Sequence, residues 1–209
     1  VHHRAVDAAW NEEAESSYLR SQGLVHEELR TMPFALRARR RLSWLSINIM
    51  LNVIAASVIA VFQDTLTQVI ALAVFLPIIS DMSGCSGNQA VAVSMREMTL
   101  GLLRPKEVLR VWGKEASVGL INGVVLGLLI ALVAWAWKGN PWLGLVVGVA
   151  MALNTLLAVL IGGSVPLLLK LGGKDPALAS GPILTTITDM VGFFLVLGLA
   201  TLMLPLLVG

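Results

Sequence analysis

Residues 181–207 read GPILTTITDMVGFFLVLGLATLMLPLL. The run exceeds the roughly 20 residues that a helix needs to cross the hydrocarbon of a bilayer, and it holds one charged side chain, Asp189. Water is scarce at membrane depth and an ionised carboxylate there is costly, so an acid inside a span is a functional-site hypothesis. The plainer reading is an acid near a helix end that reaches interfacial water. Asp189 lies about two to three turns into the run, a depth that leaves both readings open.

The rest of the chain has the same character. Of its 209 residues 56% are hydrophobic and 13% charged, where an average soluble domain has about 25% charged. The charges avoid long tracts altogether. The fold class expected is an all-α integral membrane protein, because a barrel needs many short alternating strands and none is visible. The single cysteine, Cys85, excludes an intrachain disulfide and a zinc-finger cluster. The net charge of +2 reads as membrane topology and not as affinity for nucleic acid. No phosphate-binding loop, zinc-binding helix or dinucleotide fingerprint is present. Residue 1 is Val and no hydrophobic leader follows it, as in a processed protein or a piece of a longer one.

Two regions are expected. Residues 1–34 are polar and charged and suit a solvated connecting helix with a weak apolar face. Residues 35–209 read as five spans, roughly 42–63, 68–103, 115–138, 142–170 and 178–207. Basic residues set the orientation. Arg37, Arg39, Arg40 and Arg41 precede span one. The first loop, Gln63 to Thr67, has no Lys or Arg, and the second carries Arg104, Lys106, Arg110 and Lys114. The third has only Lys138, and the fourth has Lys170 and Lys174. The alternation puts the N-terminus in the cytosol and the C-terminus outside. Trp135, Trp137 and Trp142 then form an outer aromatic belt. Five spans cannot make two equal inverted halves, so a pore on a homodimer axis is a simpler arrangement than internal repeats.

Span two reads as interrupted. After Pro77 it runs through Ser80-Asp81-Met82-Ser83-Gly84-Cys85-Ser86-Gly87-Asn88-Gln89 before turning apolar again. Polar or non-helical backbone at that depth is tolerated only against protein or a wet cavity. Asp81, Asn88 and Gln89 offer oxygen ligands, and the small residues Ser86 and Gly87 allow close approach. For the glycines alone, tight helix packing is the better reading. In span five, Thr185 and Asp189 lie one turn apart with Gly192 continuing the stripe and Thr186 beside it. A carboxylate with hydroxyl and backbone oxygens suits a hard cation, and Mg²⁺ keeps most of its waters and takes only one or two carboxylates. The three histidines, His2, His3 and His26, precede the first span, so no softer-metal site is expected there. Asn48, Asn52, Asn122 and Asn154 read as bonds to neighbouring helices. Gly162-Gly163 and Gly172-Gly173 read as loosening or ending span four.

At these residues the chain resembles the membrane domain of the MgtE magnesium channel/transporter family. Three stretches carry the likeness: Pro77 followed by SGCSGNQAVAVSMREMTLG, Asp175-Pro176 with Gly181-Pro182, and ILTTITD ending in Asp189. The resemblance implies a homodimer with a central pore lined by spans two and five. It further implies that the acid at Asp189 recognises largely hydrated Mg²⁺, helped by the backbone carbonyl at Thr185. The segment before span one would be a plug helix closing the cytosolic mouth when magnesium is high, with Asp175 an acid at that gate. Regulatory domains would lie upstream. Mg²⁺ would be both the transported and a regulatory ion. Glu12, Glu13 and Glu15 are the plug acids present, with Ser16 and Ser17 where further acids are expected. Cys85 falls where the family pattern has an Asn, which Asn88 partly replaces, and Asp81 is an additional acid. The expected function is a passive divalent-cation channel in the cell membrane, not an enzyme. The alternatives are an intramembrane enzyme using Asp81 and Asp189, an ion-coupled solute carrier and a structural subunit.

Overall fold

In a computed structural model, residues 2–21, 29–179 and 181–209 are described, and all regular structure among them is helical. The elements are α1 (His2–Ser21), α2 (Phe34–Val61), α3 (Gln63–Gln68), α4 (Leu72–Thr99), α5 (Val108–Lys138) and α6 (Pro141–Leu171), then a 3₁₀ turn (Pro176–Ala179), α7 (Pro182–Leu202) and α8 (Leu204–Val208). The stretch 22–28, which contains His26, lies outside the described residues.

Among the described residues four stretches are long and apolar enough to cross a membrane: α2, α5, α6 and Pro176–Leu202, which is α7 with its leading turn. By composition α4 does not join them, because Ser80–Gln89 dilutes its apolar residues, although it is as long as α2.

The break expected in the second span is absent: α4 runs unbroken from Leu72 through Pro77 and Gly84 to Thr99. Pro77 sits in the second turn, where it removes only one backbone N–H. Beyond it, a helix satisfies every peptide group from within, the arrangement a water-poor setting demands. The first loop is likewise not a loop but the short helix α3. Its Thr65 is buried, with Thr65 Oγ1 and Thr201 Oγ1 sharing a hydrogen bond of 2.7 Å.

Helix α6 is the spine. It packs against α5, α4 and α7, and it has more buried residues than the other helices. Its partners approach through small residues. A Cβ on Gly123 would stand 2.7 Å from the Ala152 carbonyl oxygen, and one on Gly127 would stand 2.6 Å from that of Gly148. The repeats Gly119-Gly123-Gly127 on α5 and Gly144-Gly148 on α6 are the small-residue spacing that lets two membrane helices touch backbone to backbone. Gly162 and Gly163 do not loosen α6, contrary to the sequence-based expectation. Gly162 meets the Gly87 backbone, and the Gly163 carbonyl accepts from Ser94 Oγ at 2.7 Å. Gly172 and Gly173 do end the helix, Gly173 with φ +72°.

The main apolar core lies toward the α5–α6 turn. It contains Leu72, Phe75 and Ile79 of α4, Ile130 and Ala134 of α5, Leu143 to Met151 of α6, and Val196, Leu197 and Ala200 of α7. That turn is built by Gly139 at φ +71° and by Asn140. Asn140 Oδ1 accepts from Trp142 N at 3.0 Å, and its Nδ2 donates to the Leu207 carbonyl at 3.3 Å. Helix α2 stands apart, with Ala55 its one buried residue and α7 its main contact.

Candidate functional site

Pro182 starts α7 at a position where a missing N–H is harmless, and the helix carries Asp189 into the bundle. Asp189 is 7% exposed, and one carboxylate oxygen accepts a hydrogen bond from Ser80 Oγ of α4. This bond joins the two helices that sequence reasoning singled out. Ser80 itself stood within the polar stretch but was not among the expected site residues, because a pairing across 109 positions leaves no local signature.

Thr185 lies one turn before Asp189. Its carbonyl, already the acceptor of the helical N–H four residues on, also accepts from Thr188 Oγ1 at 3.1 Å. Thr186 is buried and donates to the Pro182 carbonyl at 2.7 Å. Thr185 and Thr186 also line a cavity of about 300 Å³ between α7 and α2, opposite Trp44, Asn48 and Asn52. Asn48 donates to the Trp44 carbonyl of its own helix at 3.1 Å, not to a neighbour as expected.

The polar stretch of α4 is divided between two faces. Ser83, Ser86 and Gly87 turn inward. A Cβ on Gly87 would stand 3.3 Å from the Ala158 carbonyl and 3.2 Å from Leu184, which is the tight packing expected of the glycines. Pro77, Asp81, Cys85, Asn88, Ala92 and Arg96 are exposed, with Gln89 beside them. They recur every three or four residues and so form a single stripe along the helix. Asp81, Asn88 and Gln89 thus share a face that Ser86 and Gly87 do not.

At the other end of the bundle, Arg20 Nε of α1 pairs with Asp175 Oδ2 at 2.7 Å, and Arg20 Nη1 donates to Ser16 Oγ at 3.0 Å. The second Asp175 oxygen accepts from Ala177 N at 3.0 Å and so fixes the 3₁₀ turn. A cavity of about 350 Å³ under α1 is lined by Trp10, Glu13, Arg20, Met95, Lys170 and Asp175, among others. Glu13 thus faces the cavity that Asp175 lines, while Glu12 and Glu15 are exposed on α1. No cluster of three or more His, Cys, Asp or Glu that could hold a metal occurs among the described residues.

The family described as MgtE, divalent cation transporter, matches residues 76–199. A protein named magnesium transporter MgtE from Bacillus subtilis is 37% identical over 164 residues, 78% of this chain and 36% of the relative. One of the same name from Enterococcus faecalis is 33% identical over 192 residues, 92% of this chain and 42% of the relative. A third, from Thermus thermophilus, is 35% identical over 164 residues, 78% of this chain and 36% of the relative. The chain therefore spans well under half the length of these relatives, and it covers the family's matched segment from inside α4 into α7. With apolar helices able to span a bilayer and a likeness of this extent, the chain is a multi-pass membrane protein that belongs to the MgtE family of divalent cation transporters.

Proposed function

We propose that this chain is the pore-forming part of a passive divalent-cation channel with Mg²⁺ as its ion, and that two copies meet along α4 and α7. The observation that carries the reading is the exposed stripe of α4, with Asp81, Asn88, Gln89 and Arg96. Lipid cannot solvate such side chains, so a membrane helix presenting them needs a second protein surface, water, or both. The Ser80–Asp189 bond puts the acid of α7 beside that same helix. Helix α4 counts as the fifth crossing, with 28 residues. A helix of that length extends about 42 Å, against a hydrocarbon core of about 30 Å. The loop charges support a cytosolic N-terminus. The names of the relatives supply magnesium as the ion. An inside-negative potential favours entry of a dication by about 4.6 kcal/mol per 100 mV, twice the single-charge value, so inward flow needs no further energy source.

In this reading α1 is a plug over the cytosolic mouth, held by Arg20 to Asp175. Glu13, in the same cavity, would be the plug acid best placed to share a regulatory Mg²⁺ with Asp175. The greater length of the relatives leaves room for regulatory domains upstream. Both members of the ion pair are partly exposed, and such a pair contributes at most about 1 kcal/mol. Arg20→Ala is therefore expected to raise Mg²⁺ uptake into proteoliposomes by up to about fivefold at saturating magnesium, where the plug is closed. Unchanged uptake at every magnesium concentration would remove α1 from gating.

Cys85 offers the test of the pore. It is the chain's single cysteine, a free thiol, and it lies on the exposed stripe between Asp81 and Asn88. A membrane-impermeant thiol reagent added to reconstituted protein is expected to modify Cys85 and to lower Mg²⁺ uptake several-fold, and Cys85→Ser is expected to make uptake insensitive. A thiol that stays unmodified while uptake proceeds would mean that the stripe faces lipid or a dry contact.

A further inference from the structure

Asn154 of α6 has no exposed surface, and among the described residues neither its Oδ1 nor its Nδ2 has a hydrogen-bond partner. The amide lodges in the notch left by the missing side chain of Gly192. A Cβ there would stand 2.6 Å from Asn154 Nδ2 and 3.4 Å from Ile79 Cγ2. Asn154 therefore reaches the seam where α4, α6 and α7 meet. Its neighbours have meaning by position. Gly192 follows Asp189 by three residues on α7, and Ile79 immediately precedes Ser80 on α4. The amide thus sits one residue or one turn from each end of the Ser80–Asp189 hydrogen bond.

Stability does not account for an asparagine here. A buried amide group without a partner is destabilising, whereas an apolar side chain of the same shape avoids the penalty. Leucine has that shape and would fill the notch equally. What leucine lacks is a polar head at the α4–α7 seam.

We propose that Asn154 is a positioning residue for Asp189: its amide, seated at Gly192 on the side of α7 that faces Ile79, sets the rotation and spacing of α7 relative to α4, and so fixes where the carboxylate meets a passing hydrated cation. The inference rests on the channel reading above and adds a determinant of ion discrimination outside the pore face. Displacing a group that recognises an ion by a fraction of an ångström alters affinity and selectivity before it alters folding.

The test uses the whole chain in proteoliposomes. Mg²⁺ and Ca²⁺ uptake are measured against ion concentration, with melting temperature in detergent alongside. Asn154→Leu is expected to leave the melting temperature unchanged or higher, to raise the half-saturating Mg²⁺ concentration by about tenfold, and to narrow the preference between the two ions. Gly192→Ala pushes the same amide and is expected to act in the same direction. Asn154→Ala combined with Gly192→Ala empties the notch for the new methyl group, so the pair is expected to lie closer to wild type than Gly192→Ala alone. If Asn154→Leu keeps wild-type affinity and ion preference, or loses uptake only in step with loss of folded protein, the positioning role is overturned. Asp189→Asn separates the two levels. A wild type that conducts through an Asp189-dependent path but ignores Asn154 defeats this inference alone. A wild type that carries neither ion defeats it together with the channel reading.

Discussion

Asp189→Asn is expected to reduce divalent-cation uptake at least about a hundredfold, while the protein stays folded. The substitution changes almost nothing but charge. Asparagine keeps the size of aspartate and an Oδ1 that can accept a hydrogen bond, so the Ser80 contact between α4 and α7 survives. What disappears is the attraction for a dication. Two unit charges 4 Å apart attract by about 4 kcal/mol at the effective dielectric near a protein surface. A doubly charged ion doubles that figure, and in the proposed dimer a second copy of the acid adds as much again, before desolvation is subtracted. Loss of even part of this leaves the carboxamide with no advantage over bulk water for holding a hydrated ion. Uptake followed by an entrapped magnesium-sensitive dye in proteoliposomes, with melting temperature as the folding control, decides the matter. Wild-type flux in Asp189→Asn would take the acid out of the mechanism.

The largest effect on stability is expected from Gly162→Ala. A Cβ at Gly162 would run into the Gly87 carbonyl oxygen, with the Gly87 carbonyl carbon 2.9 Å and its Cα 3.0 Å away. All three are backbone atoms of a helix interior, so no flexible side-chain end can swing aside. Either α4 or α6 must shift bodily, and α6 is the helix against which the others are packed. Overpacking of this kind destabilises by about 3 kcal/mol or more, which lowers the melting temperature of a chain this size by roughly 6–12 °C. Gly113→Ala is the matched control. Nothing lies within 4 Å of its added methyl group, and alanine favours the helix by up to about 1 kcal/mol. Tryptophan fluorescence during heating in detergent reads both. Equal melting temperatures for the two variants would mean that α4 and α6 are not held at this point.

The apolar runs foretold α6 and α7 to within a few residues, whereas α2 and α5 begin roughly two turns earlier than their runs, α2 taking in the Arg37–Arg41 cluster and α5 taking in Arg110 and Lys114. Length and hydropathy suffice where a helix is surrounded by lipid or apolar side chains. They mislead in α4. Pro77, Gly84 and Gly87 are breakers in water, yet here the demand for internally bonded backbone outweighs them. Gly87 serves close packing, as expected of the glycines in this stretch. Gly162-Gly163, read as breakers, proved to pack closely as well. The glycine spacing on α5 and on the first half of α6 was visible in the chain and would have located that contact. Within the candidate site, the lone charge of an apolar run singled out Asp189 without help from the fold. Its partner Ser80, the Arg20–Asp175 pair and the orphaned amide of Asn154 depend on residues far apart in sequence meeting in space, and neither composition nor periodicity encodes such meetings.

The isolation of α2 bears on how the molecule is made. During synthesis α2 leaves the ribosome before the other bundle helices, but its main partner, α7, emerges only after α4, α5 and α6. Until α7 follows, α2 must therefore reside in lipid without it, and its apolar side chains, exposed nearly all round, suit that wait. Only when α7 inserts can α2 be gathered in, so closure of the helix assembly waits on the helix that carries Asp189.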